Sequence, residues 1–275
     1  MKTRIITGAC LVAVLAAVIG FSYLPPVLPI VSALLAVTAI YELLKCMGLH
    51  RHILLTAFVC ALAAVLPIYT IWYADRGHCL ALGVVLVVAL IEVLFAYAVF
   101  GRGRIRFEEV AQVLTVFVYI VFGCTAWPLL RAMEYGKYLF VLVFVASWIT
   151  DTFAYFTGYF LGRHKLIPEI SPKKTVEGSV GGIVFCVLGF VLFGVIVHAI
   201  EPAASPNYIA LIACGLISSV ISQIGDLIAS LIKREHGVKD YGRLFPGHGG
   251  VMDRFDSFFA VVPIVYAFCT VFRML

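Results

Sequence analysis

The chain has 275 residues, 63% of them hydrophobic and 13% charged, with a mean hydropathy of +1.07. Soluble domains carry about 25% charged residues, so a soluble globular enzyme is excluded and an integral membrane protein is indicated. The formal charge is +5, and where the 20 Lys and Arg fall says more than their sum, because cytoplasmic loops are enriched in them.

A bilayer core takes about 20 apolar residues per helix. Nine runs qualify, at about 5–24, 27–44, 53–73, 79–100, 110–130, 138–161, 180–199, 208–232 and 255–272. The first follows Lys2 and Arg4 and resembles a signal peptide. It exceeds the usual ~7 to 15 residue apolar region, and no cleavage site precedes Pro25 and Pro26, so a retained helix is expected. None of the runs alternates like a barrel strand, and only helices otherwise satisfy their own backbone in lipid. The expectation is an all-α polytopic membrane protein of about nine transmembrane helices. A single domain would cover 1–275, with helices 1–5 in 1–137 and helices 6–9 with two polar loops in 138–275.

With the N-terminus in the cytoplasm, 16 of the 20 Lys and Arg fall on that side, and only Arg76, Arg131, Lys137 and Arg273 on the other. The bias predicts N-terminus in and C-terminus out. Tyr23, Tyr69, Trp72, Trp127 and Tyr138 sit near run ends, as interfacial aromatics do. Cys10, Cys46, Cys60, Cys79, Cys124, Cys186, Cys214 and Cys269 are scattered without CxxC or Cys/His spacing. They read as packing residues, not as a disulfide framework or a zinc site.

The inside loops at 45–52 and 101–109, the latter with Arg102, Arg104 and Arg106, read as topology signals or contacts to anionic headgroups. The loop at 162–179, GRHKLIPEISPKKTVEGS, and the stretch at 222–256 carry more unusual chemistry.

Ionisable residues within spans are costly and mark function by default. Glu92 has no polar neighbour at helical spacing and reads as a structural acid, protonated or hydrogen-bonded. Asp226 differs. At about 100° per residue, Ser219, Ser222, Gln223, Asp226, Ser230, Lys233 and Arg234 occupy roughly a third of one helix circumference. Interhelical hydrogen bonding explains the serines and Gln223, but a carboxylate leading to two cations points to function. On the sixth run Ser147, Asp151, Ala154, Gly158 and Gly162 share a face. The small residues permit close helix approach, and Asp151 either belongs to that packing or positions a cation or substrate group.

Lys173 and Lys174 read either as point charges facing phosphate or as a plain cytoplasmic loop. Lys233, Arg234, Lys239 and Arg243 add positive charge, while Gly242, Gly247, Gly249 and Gly250 let backbone N–H groups approach an anion. His248 either contacts phosphate or donates a proton, or makes a structural bond. Asp253 and Asp256 lie three apart on one face of a helix start, with Arg254 turned away. The helix dipole explains one such aspartate more readily than both. Together with Asp226 they form an oxygen-only set suited to Mg²⁺, with room for a second cation, K⁺ or another Mg²⁺. There is no GxxxxGK[ST], GxGxxG or GxSxG, so the familiar soluble nucleotide folds are excluded.

Ser230, Lys233, Arg234, Lys239, Asp240, Gly242, Phe245, Pro246, His248, Gly249, Gly250, Asp253, Arg254 and Asp256 fall on a signature S-x-x-K-R, K-D, glycine turn, P-x-H-G-G, D-R-x-D. In this the chain resembles the phosphatidate cytidylyltransferase family. The upstream segment from Asp151 through ISPKKTVEGSVGG is similar as well, with Val176 where an aromatic is often found, and the likeness spans roughly 147–256.

The resemblance implies that phosphatidic acid and CTP give CDP-diacylglycerol and pyrophosphate, with no protein nucleophile. It implies Asp226, Asp253 and Asp256 as Mg²⁺ ligands, and Lys173, Lys174, Lys239 and His248 as further catalytic residues. Ser222, Lys233, Arg234, Asp240, Arg243, Gly249, Gly250, Arg254 and Asp151 would contact substrate. Expected partners are CTP, phosphatidic acid, membrane lipids and a second copy in a homodimer, with no nucleic acid. The expected location is the plasma (inner) membrane, with the site facing the cytoplasm. Two other readings stay open: an ion-coupled transporter using Asp151 and Asp226, and a CTP-dependent lipid kinase, for instance one acting on polyprenol, that releases CDP.

Overall fold

The computed structural model describes residues 2–101 and 105–275, the side chains of 2–5 excepted, so Arg102 and Arg104 lie outside it. Each of the nine runs folds as helix. They are α1 (Lys2–Gly20), α2 (Val27–Cys46), α3 (Ile53–Tyr69), α4 (Arg76–Phe100) and α5 (Phe107–Arg131). These are followed by α6 (Gly136–Leu161), α7 (Val176–Ile200), α8 (Tyr208–Glu235) and α9 (Met252–Val271). Seven of them, α2 and α4 to α9, are long and apolar enough to cross a membrane, while α3 and the Ile6–Gly20 part of α1 are shorter apolar helices. The protein is a polytopic all-α membrane protein.

Helix starts are set by side chains that accept orphan N–H groups. Asp75 caps α4 by accepting from the His78 N–H, Thr175 caps α7 through the Gly178 N–H, and Asn207 caps α8 through the Ala210 N–H. The sixth span is interrupted. It runs through the short pieces Gly136–Leu139 and Leu142–Phe144, a π-helical turn at Val145–Ile149, and the regular helix Thr150–Leu161. Such π turns recur at functional sites, and this one ends two residues before Asp151. Glu92 lies on an exposed part of α4.

The chain divides into two compact units. The first comprises Met1–Leu129 with Asp240–Asp253, and the second Leu130–Lys239 with Arg254–Leu275. In the first unit α2 packs on α3 through small and branched side chains, including Ala36, Ala39, Ile40, Val59 and Ala63, all fully buried.

In the second unit Thr150–Leu161 of α6 packs on α7, and α7 on α8. The α6–α7 seam is built on glycine. A Cβ on Gly178 would lie 2.6 Å from the Ala154 carbonyl oxygen, and one on Gly182 2.9 Å from that of Thr150. One on Gly181 would collide with the Thr157 side chain. Phe153 stacks on Phe185 across the same seam, with ring centroids 4.0 Å apart.

The segment 162–179, expected as a loop, contains an antiparallel hairpin of β1 (Lys165–Ile167) and β2 (Ser171–Thr175) with irregular register. Strands this short carry no apolar alternation to betray them. Their ends are tied by local polar bonds. The Val176 N–H donates to the His164 carbonyl (2.9 Å), and the Glu177 carboxylate accepts from the Arg163 N–H (3.1 Å) and the His164 ring (2.6 Å).

Candidate active site

In the second unit the polar stripe of α8 changes character along its length. Its buried part is interhelical glue. Thr150 Oγ1 donates to Ser219 Oγ at 2.9 Å, and Gln223 Nε2 donates to the Ser179 carbonyl at 3.3 Å. Ser222 lies on the same face, fully buried, and its hydroxyl has no hydrogen-bond partner among the described residues. One turn on, the half-buried Asp226 is ion-paired with Lys174 of β2, whose ammonium also reaches the Gln223 carbonyl at 3.4 Å.

Successive side chains on a strand point to opposite faces. Lys174 therefore meets Asp226, while its neighbour Lys173 is exposed. Asp151, Asp226 and Asp256 lie within electrostatic reach of one another, with Lys174 acting on Asp151 and Lys233 on Asp256. Asp256 Oδ1 also accepts from the Ser257 N–H at 2.7 Å. Arg234, Lys239 and Arg254 are exposed, and Lys233 is half-buried. These carboxylates repel one another, and Lys174 sets positive charge against that repulsion at Asp226 and Asp151.

In the first unit Asp240–Asp253 forms a compact glycine-rich loop. Gly247 and Gly249 have φ of +78° and +86°, the left-handed region that glycine enters without strain. Phe245 N–H donates to the Gly249 carbonyl at 2.9 Å, and His248 N–H to the Phe245 carbonyl at 2.8 Å, closing a tight turn. Asp253 secures the loop, its Oδ2 accepting from the N–H groups of Tyr241 (2.8 Å) and Gly250 (3.0 Å).

Two other helices hold the loop. Thr7 of α1 donates to the Pro246 carbonyl at 3.1 Å, and the bare Gly8 faces the half-buried His248 ring. Glu42 of α2, 5% exposed, accepts from the N–H groups of Val251 (3.1 Å) and Met252 (2.8 Å). Asp240 and Arg243 are exposed.

Thus Asp151, Lys174, Ser222, Asp226, Lys233 and Asp256 belong to the second unit, with Lys173, Arg234, Lys239 and Arg254 at its exposed positions. Asp240, Arg243, His248, Gly249, Gly250 and Asp253 belong to the first. Glu42 is the residue that sequence reasoning missed. Its signal was an acid two residues inside the end of an apolar run, which passes for an interfacial charge.

The donor set is all oxygen, as a hard divalent cation requires. Among the described residues no three His, Cys, Asp or Glu side chains are closed into a metal cage.

The profile described as the cytidylyltransferase family matches residues 2–272. The phosphatidate cytidylyltransferase of Bacillus subtilis (strain 168) is 36% identical over 280 residues, covering 99% of this chain and 98% of that protein. That of Staphylococcus saprophyticus is 35% identical over 240 residues (87% and 88%), and that of Staphylococcus aureus (strain COL) 39% over 180 residues (65% and 66%).

Proposed function

Since the chain belongs to the cytidylyltransferase family, we propose that it transfers a cytidylyl group from CTP to phosphatidic acid. The products are CDP-diacylglycerol and pyrophosphate, for phospholipid synthesis. The observation that carries this reading is the near full-length match to phosphatidate cytidylyltransferases, which extends over both polar segments.

A phosphate oxygen of the lipid attacks the α-phosphorus of CTP. The new O–P bond forms as the bond from the α-phosphorus to the bridging oxygen breaks, and pyrophosphate leaves with that electron pair. No side chain needs to become covalently attached, so the protein contributes position and charge. Lys174 is held by Asp226 against the Gln223 carbonyl, so its ammonium is placed before a phosphate arrives. Lys233, Arg234, Lys239 and Arg243 supply further positive charge for the triphosphate, and Lys173 lies on the exposed side of β2 to meet anionic headgroups.

Gly249 and Gly250 are assigned to phosphate, the Gly249 N–H suited to its oxygens while that of Gly250 is given to Asp253 Oδ2, and His248 is assigned to proton donation toward pyrophosphate. Ser222, with its unpartnered hydroxyl, and Asp151 are assigned to substrate. Asp226 and Asp256 of the second unit would hold the divalent cation, Mg²⁺ by donor chemistry, while Asp253 shapes the glycine-rich loop. When bound, that ion neutralises charge building on the phosphates.

The distribution of Lys and Arg supports polar loops that face the cytoplasm, where CTP is dissolved and the lipid headgroup is at hand, and the bacterial relatives support the plasma membrane as the location. The test identifies the small-molecule product. Purified protein with CTP, phosphatidic acid and Mg²⁺ is expected to release pyrophosphate and no CDP. Release of CDP with formation of a phosphorylated lipid would instead make it a lipid kinase.

A further inference from the structure

We propose that Glu42 is a positioning residue for the glycine-rich loop, fastening the start of α9 and, through it, Asp253. The carboxylate comes from α2, about 200 positions earlier in the chain, and lies buried in the first unit. Each oxygen takes a separate donor: Oε1 the Val251 N–H at 3.1 Å and Oε2 the Met252 N–H at 2.8 Å. These are donors at a helix start, without carbonyl acceptors inside the helix, so the carboxylate supplies partners that the helix cannot.

Two glycines explain how it fits. A Cβ on either Gly242 or Gly250 would run into Glu42 Oε1, and on Gly250 into the other carboxylate atoms too. The backbone at these positions has negative φ, so a left-handed conformation is not what asks for glycine here. The carboxylate asks for it.

Gly250 then links the two acids directly. Its N–H donates to Asp253 Oδ2 at 3.0 Å while its bare Cα faces Glu42. Glu42 and Asp253 thereby both hold one four-residue segment, 250–253. A carboxylate is suited to this because hydrogen bonds to a charged acceptor are stronger than those to a neutral one. Glutamine at the same size would present an amide donor to one of the two N–H groups.

The inference rests on the cytidylyltransferase reading only for its activity readout, and a second readout is independent of it. Full-length Glu42→Ala, Glu42→Gln, Gly250→Ala and Glu42→Ala/Gly250→Ala are compared with wild type by amide hydrogen exchange and by steady-state kinetics. In Glu42→Ala and Glu42→Gln, exchange in peptides covering 250–253 should quicken about tenfold or more, as on losing a hydrogen bond to a charged group. Peptides from α7 and α8 should keep wild-type protection.

Turnover should drop about 100-fold, the scale of a ~1 Å misplacement, with KM for CTP within about threefold. Gly250→Ala alone should cause a comparable loss, and the double variant should be no worse than Glu42→Ala, because the colliding carboxylate is gone. If Glu42→Ala does not fold, Glu42→Gln decides by the same two measurements. Wild-type exchange at 250–253 in the Glu42 variants would overturn the proposal, as would losses from Glu42→Ala and Gly250→Ala that simply multiply. If wild-type protein transfers no cytidylyl group, the functional reading fails, and the exchange data still decide whether Glu42 fastens the loop.

Discussion

A carboxylate within a membrane span costs about 2.5–3.5 kcal/mol on insertion scales, and Asp226 meets that cost with the ammonium of Lys174. Removing either partner breaks this ion pair, so Asp226→Asn and Lys174→Gln should each lower kcat by about 10² to 10³, the loss typical of one charge-stabilising group. Asp256→Asn should act in the same direction. Turnover measured beside thermal unfolding checks this, with the variants remaining folded. Asp226 was legible as an acid on a helical face shared with cations. The choice of Lys174 over Lys173 was not, because adjacent lysines separate only once the segment is known to be a strand. Another acid gives a pH prediction. Hydrogen bonding to His78 holds the Asp75 carboxyl below its ordinary 3.8. A lowered carboxyl pKa adds stability above the unfolded value, and that stability is lost as pH falls through the folded one. The Tm difference between wild type and Asp75→Ala should therefore be present at pH 6 to 7 (an ordinary neutral range for such a carboxylate) and shrink below about 3.8.

At the scale of elements, the seam between α6 and α7 depends on glycines that bring two backbones together. Gly178→Ala places a methyl 2.6 Å from the Ala154 carbonyl oxygen, a backbone atom that cannot rotate away. It should destabilise the protein by about 1–3 kcal/mol, the usual cost of overpacking, read as a lower unfolding temperature in detergent. Gly158 was recognisable as a close-packing position from its face on the sixth run. Its partner Thr175 was not, since that residue lies in the polar segment and serves at once as the end of β2 and the cap of α7. The interruption of α6 at Val145–Ile149 also leaves no mark in the sequence, as the segment VASWI lacks the proline or glycine that usually announces a break.

For the whole molecule, hydropathy located the nine long helices among the described residues because a span must be apolar along its length whatever it packs against. The grouping of Asp240–Asp253 with Met1–Leu129 was not legible. It depends on contacts such as those of Glu42 and Thr7 with residues some two hundred positions away, and pairing over that distance has no periodic signature. The motif from Ser230 to Asp256 did carry the chemistry, since charges and glycines at set spacings resist explanation by packing. The central claim is transfer of the α-phosphoryl of CTP, still bearing its cytidine, to phosphatidic acid, and it is tested with CTP labelled separately on the α- and γ-phosphorus. Purified protein with Mg²⁺ and phosphatidic acid should move the α label into the lipid and leave the γ label in pyrophosphate. The γ label in lipid, or no label in lipid from either position while a known cytidylyltransferase works in the same assay, would contradict it.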